Sequence, residues 1–140
     1  THTIPSMKKL FTLTTLIFTV MFLSNCDETP NPSGNWKKLT ENDSGDSFYL
    51  DFETIRKQDG YVYWWELGDY LLPTPEGILS GKIYKQGDCK LFRLKRLSGS
   101  FHKEPMGGGT GDSYSPENPI WRYPPPNSVA ETTLKSACSR

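Results

Sequence analysis

The residues best equipped for chemistry fall between positions 82 and 96. Lys82, Lys85, Lys90, Arg93, Lys95 and Arg96 alternate there with the rings of Tyr84 and Phe92. In an intracellular chain, cations interleaved with aromatic rings would suit RNA, the charges meeting phosphates and the rings stacking on bases. Behind an export leader, as read below, nucleic acid is not the expected partner. A sulfated glycan, a lipopolysaccharide headgroup or an acidic protein then becomes the expected anion. These eight residues are the candidate contact set, against the plainer reading of a solvated sheet face balanced by nearby acids.

No constellation for catalysis accompanies them. His102 is the sole histidine outside the leader, so no histidine pair exists for a metal or a proton relay, and its position after a strand reads as an exposed polar side chain. Ser98-Gly-Ser100 lacks the second flanking glycine of a nucleophile elbow. Gly107-Gly-Gly-Thr-Gly111 is followed by Asp-Ser-Tyr rather than Lys-Ser/Thr and a helix, which excludes a phosphate loop. Asp51, Glu53, Glu66, Asp69 and Asp88 could serve a glycosidase only as a pair facing across a cleft, and the sequence predicts solvated or turn-capping roles instead. Glu66 stands apart because it interrupts an aromatic strand, where burial would demand a Lys or Arg partner. No enzyme activity, cofactor or metal is expected.

The elements that must position these residues come from a chain of 140 residues, 35% hydrophobic and 13% aromatic, enough for one small domain. Formal net charge is zero; without Lys8 and Lys9 of the leader, 14 basic residues stand against 16 acidic ones. Met7-Lys8-Lys9 followed by an uncharged apolar run to Leu23 reads as a secretion signal, too short to span a membrane comfortably. Residues 1–6 read as upstream read-through and 7–25 as the signal peptide. Leu23-Ser-Asn-Cys26 resembles a bacterial lipobox, with Asn25 where Gly or Ala is usual, and predicts lipidation of Cys26 and anchoring to the membrane. Asp27 directly after it resembles an inner-membrane retention signal of enteric bacteria. Residues 27–35, rich in Pro, Ser and Gly, read as a tether behind that cysteine.

Lipidation of Cys26 leaves Cys89 and Cys138, and an even pair in an oxidising compartment is expected to bond. Strands are expected at 36–39, 48–51, 61–72, 78–86, 89–97 and 120–123. A helical turn is expected after Asp51, a hairpin at Asp59-Gly60, and a turn at Gly87-Asp88. The run 61–72 carries apolar residues on both alternating sets, the signature of a central strand. In 89–97 neither set is wholly apolar, which calls for a bulge near Arg93. Residues 106–119 read as a mobile Gly/Pro/Ser loop. Ser128-Val-Ala-Glu131 is a capping box that opens a helix with Ala130, Leu134, Ala137 and Cys138 on one face. The fold class is therefore α+β: an antiparallel sheet of about five to six strands with a C-terminal helix stapled to it. A Cys89–Cys138 bridge closes a loop of about 50 residues, worth about 4 kcal/mol on chain-entropy arithmetic.

Trp36, Phe48-Tyr-Leu-Asp51, Ile55, Gly60, Val62-Tyr-Trp64, Asp69-Tyr70, Ser80-Gly-Lys82, Asp88-Cys89, Arg93, Trp121, Pro126, Ser128 and Cys138 resemble, in order and spacing, the surface-adhesin protein E-like family. The resemblance covers 36–140 as the folded domain. It implies an antiparallel sheet with one disulfide to a C-terminal helix, and binding of host extracellular-matrix or plasma proteins, in some members as a homodimer. The expected protein is an exported, lipid-anchored, non-enzymatic binding module for extracellular proteins or glycans at the outer membrane surface. The alternative is a periplasm-facing structural or accessory lipoprotein that binds an envelope component.

Overall fold

The computed structural model describes residues 29–140; the leader and Cys26 lie outside the described residues. Seven strands form one antiparallel sheet: β1 (Lys37–Glu41), β2 (Ser47–Leu50), β3 (Arg56–Gln58), β4 (Tyr61–Asp69), β5 (Ser80–Asp88), β6 (Arg93–His102) and β7 (Gly111–Tyr114). Their order is β1-β2-β4-β5-β6-β7, and β3 pairs with the first three residues of β4 where β2 pairs with the last four. The helix α1 (Val129–Cys138) packs against β1, β4 and β5. This is the expected α+β architecture with β3 and β7 added, while the strand expected at 120–123 is reduced to a single bridge between Arg122 and Leu94. Among the described residues no helix is long and apolar enough to cross a membrane.

Local chemistry explains most of the turns. Asp51 accepts the N–H of Glu53 and opens a single 3-10 turn, Phe52–Thr54. Asp59 and Gly60 both take positive φ, 53° and 82°, the mirror-image turn whose twist matches a two-stranded hairpin. The next reversal is not at Gly87-Asp88. Both residues stay in β5, and the chain turns through residues 89–92, with Phe92 at φ 52°. Asp88 organises this turn: Oδ1 accepts the N–H groups of Lys90 and Leu91, and Oδ2 accepts Arg93 Nε at 3.0 Å. Cys89 therefore lies in a turn rather than opening a strand.

Alternation along β4 sends Val62, Trp64 and Glu66 to the helix side, and Leu134 and Ala137 of α1 close over Val62, Trp64, Leu50 and Leu94. Gly87 sits beneath this contact: a Cβ there would lie 2.7 Å from both Leu134 Cδ1 and Trp64 Cζ3, so the helix reaches the sheet only over a glycine. Cys138 is bonded to Cys89, with Cα atoms 5.8 Å apart. The capping box forms by half. Ser128 Oγ accepts the N–H of Glu131, but the Ser128 N–H goes to Pro125 O and the Glu131 carboxylate to Lys135. The bulge in β6 falls four residues beyond Arg93, because Tyr84 pairs with Ser98 and Lys85 with Arg96, leaving Leu97 unmatched.

Among the described residues no helix covers the other face. Two chain segments cross it instead. Residues 30–33 of the expected tether are docked: Trp65 Nε1 donates to Pro30 O at 2.6 Å, and Ser33 gives both its N–H and its hydroxyl to the fully buried Asp51. The β6–β7 connection folds back as well. Met106 N–H donates to Asp69, Gly107 N–H donates to Ser80 Oγ, and the Ser80 hydroxyl donates to Glu104 O. The expected mobile loop is thus pinned at its start and contains β7. His102 is 3% exposed, its ring bonded to Ser100 Oγ at 2.7 Å and Gly108 O at 3.1 Å, a tie between β6 and this loop rather than an exposed side chain.

Candidate functional site

The structure does not gather the eight candidate residues on one surface. Lys82, Tyr84, Arg93 and Lys95 project from the face without the helix, Lys85 and Arg96 from the helix face, and Lys90 and Phe92 belong to the turn. Three of them are committed internally. The Lys85 ammonium meets Glu66 Oε2 at 2.8 Å with both side chains under a tenth exposed, the partner that burial of Glu66 demands. Tyr84 is buried, and its hydroxyl accepts Arg56 Nε at 3.0 Å; burial raises its pKa, with Arg56 opposing. The aliphatic part of Lys82 packs below Gly107.

Arg93 and Lys95 flank one ring. The Arg93 guanidinium carbon lies 4.4 Å and Lys95 Nζ 4.5 Å from the Trp121 centroid, and Trp121 stacks on Tyr61 at 5.6 Å. Arg93 is also tied to Asp88, whose carboxyl is held below the ordinary aspartate range, chiefly by the Leu91 N–H and further by Arg93. Phe92 packs on the core and Lys90 is solvated. This leaves Arg96 exposed, and beside it Arg122, which the sequence reading placed in the short 120–123 strand without joining it to the basic set. A two-way backbone bridge between Leu94 and Arg122, 2.9 and 2.8 Å, brings it there.

The arrangement offers cations and aromatic rings. Among the described residues no group of three or more His, Cys, Asp or Glu could hold a metal. The buried carboxylates of Asp51, Glu66 and Asp88 each satisfy a structural partner.

The fold class is an antiparallel sheet with a single C-terminal helix joined to it by a disulfide. The surface-adhesin protein E family model matches residues 36–139, and the chain belongs to that family, which makes it an adhesin-like, exported protein of the cell envelope. In three dimensions it is similar to Haemophilus influenzae protein E in crystal form II, with a TM-score of 0.56 and 20% identity over 80% of this chain and 92% of that one. The selenomethionine form of that protein gives 0.55, again at 20% identity, over 80% and 91%. Protein E from non-typeable Haemophilus influenzae gives 0.53, with 80% of each chain covered. At this identity the likeness establishes the fold. No curated protein matches at a significant level.

Proposed function

We propose that the chain is a non-enzymatic envelope lipoprotein, anchored through Cys26, whose domain binds extracellular proteins or glycans. Family membership across residues 36–139 carries this reading. The geometry supports it: the sheet is rigidly stapled, its buried acids are consumed by structure, and cations remain at the rim. The test is a binding screen of the purified mature domain against immobilised matrix proteins and glycans. Saturable capture by at least one is expected, and uniform failure by folded protein would overturn the reading.

One observation favours the alternative, a periplasm-facing accessory lipoprotein. Pro30 is docked on Trp65, so a lipid on Cys26 leaves only residues 27–29 as a leash. At about 3.5 Å per residue the reach is about 14 Å, which holds the domain against the membrane. Asp27 points the same way. The two readings differ in whether the domain faces the exterior or the periplasm.

A further inference from the structure

The edge of β6 is split. Leu94 exchanges both backbone hydrogen bonds with Arg122, whereas β7 pairs only with residues 99–102. In an antiparallel ladder successive residues turn their N–H and C=O groups to opposite neighbours. The backbone of Lys95 therefore faces β5, and that of Arg96 faces outward again into the split, where no strand among the described residues meets it. Two adjoining cavities of about 250 and 270 Å³ fill this opening, and Arg96 and Arg122 line both. Tyr114 and Ile120 wall the first; Tyr123 and Ala130, in the first turn of α1, wall the second.

Charge decides what fits. Among the described residues no carboxylate lines either cavity and neither arginine belongs to a salt bridge. Lys85, at the floor of the second cavity, is already neutralised by Glu66. Guanidinium groups match carboxylate, sulfate and phosphate bidentately. Beside the two cations, Tyr114, Pro116 and Pro119 line the first cavity and Tyr123, Pro124 and Pro125 the second. The combined volume falls within the usual range of small-ligand sites, about 300–1,000 Å³. An extended acidic peptide would add a strand to the sheet, but the open edge offers one outward-facing residue before the bulge at Leu97. We propose that this split is a binding site for an acidic saccharide, its anionic groups held by Arg96 and Arg122 and its ring faces laid on the flanking prolines and tyrosines.

The proposal rests on the binding-module reading and names its site and ligand class. Its test is calorimetric titration of the mature protein with a heparin-derived hexasaccharide, with a phosphorylated lipopolysaccharide core oligosaccharide, and with a glutamate decapeptide. Both arginines are exposed, so Arg96→Gln/Arg122→Gln leaves the melting temperature unchanged, which is checked first. The expected result is saccharide binding that this double substitution weakens about 100-fold, at roughly tenfold for each charged contact. Lys37→Gln/Lys38→Gln, the same charge change on the distant edge strand β1, weakens it less than about threefold. The tighter saccharide arm identifies whether the source is a host glycan or the cell's own surface. Equal weakening by both double substitutions, no binding of either saccharide, or tighter binding of the peptide would overturn the site. Capture on matrix proteins by Arg96→Gln/Arg122→Gln reads the broader function separately: it survives if only the saccharide site is wrong, and is absent from the unsubstituted protein if the module reading is wrong.

Discussion

On one side of the sheet, Leu134 and Ala137 of α1 close over Val62, Trp64 and Leu94 with a disulfide at the end of the helix. On the other, residues 30–33 and the connection before β7 lie over Trp65, Asp69 and Ser80 through hydrogen bonds. The first closure is apolar and covalent, and excludes water by packing. The second is a set of polar ties between segments far apart in the chain, as with Trp65 and Pro30, 35 residues apart. Stability is thus concentrated on the helix side, while the strapped face holds its segments in place at smaller cost to release. The rim between them, at Arg96 and Arg122, carries the charge that neither closure consumes.

Breaking the helix side has the largest effect. Replacing both cysteines, Cys89→Ser/Cys138→Ser, lowers stability by about 4 kcal/mol, much of what a domain this small possesses. Chemical denaturation of oxidised wild type against the variant measures it. Lys85→Met strands a buried Glu66 and costs about 3 kcal/mol, at the low end for such a loss because the Trp64 indole N–H also reaches Glu66 Oε2, at 3.5 Å. Lys85→Met/Glu66→Leu recovers most of that loss, since both charges are then gone. Denaturant midpoints of the two variants decide whether the ion pair stabilises the fold or is merely tolerated by it.

The strapped face responds less. Ser33→Ala removes the hydroxyl bond to Asp51 and costs about 1 kcal/mol, while hydrogen exchange of the Trp65 indole N–H quickens as residues 30–33 detach more often. An unchanged exchange rate would show that Pro30 alone holds the segment. The smallest effect belongs to Asp88. Its folded-state pKa lies below the ordinary 3.8, so its contribution is present above that value and is lost as pH falls through the lower folded pKa. Asp88→Asn therefore flattens the stability curve at the acid end, below about pH 4, and leaves its slope near neutrality unchanged.

The difference between the faces also explains what could be read without coordinates. Periodicity exposed α1 and its apolar face, the alternation of 61–72 identified β4, and the even cysteine pair gave the staple, because packing writes itself into residue type at regular spacing. Glu66 announced its need for a cation by interrupting an aromatic run. The docked tether, the buried His102 and the pinned glycine loop left no such mark: each depends on a single polar atom meeting a distant backbone group. Arg122 escaped the basic set for the same reason. Its neighbours Trp121 and Tyr123 suggested a strand, but only the bridge to Leu94 places it beside Arg96. The turn at 89–92 was misplaced by one strand end because Gly87-Asp88 looks like a turn pair, whereas Gly87 is needed under Leu134 and Asp88 caps the true turn from within β5.

Adhesion requires the domain to be displayed outside the cell. Protease treatment of intact bacteria expressing the chain from Met7, with permeabilised cells alongside, tests this directly. Digestion of the domain on intact cells is the predicted result and places the Arg96–Arg122 rim outside the cell. Protection until the outer membrane is permeabilised would contradict surface adhesion and leave the periplasm-facing lipoprotein as the function.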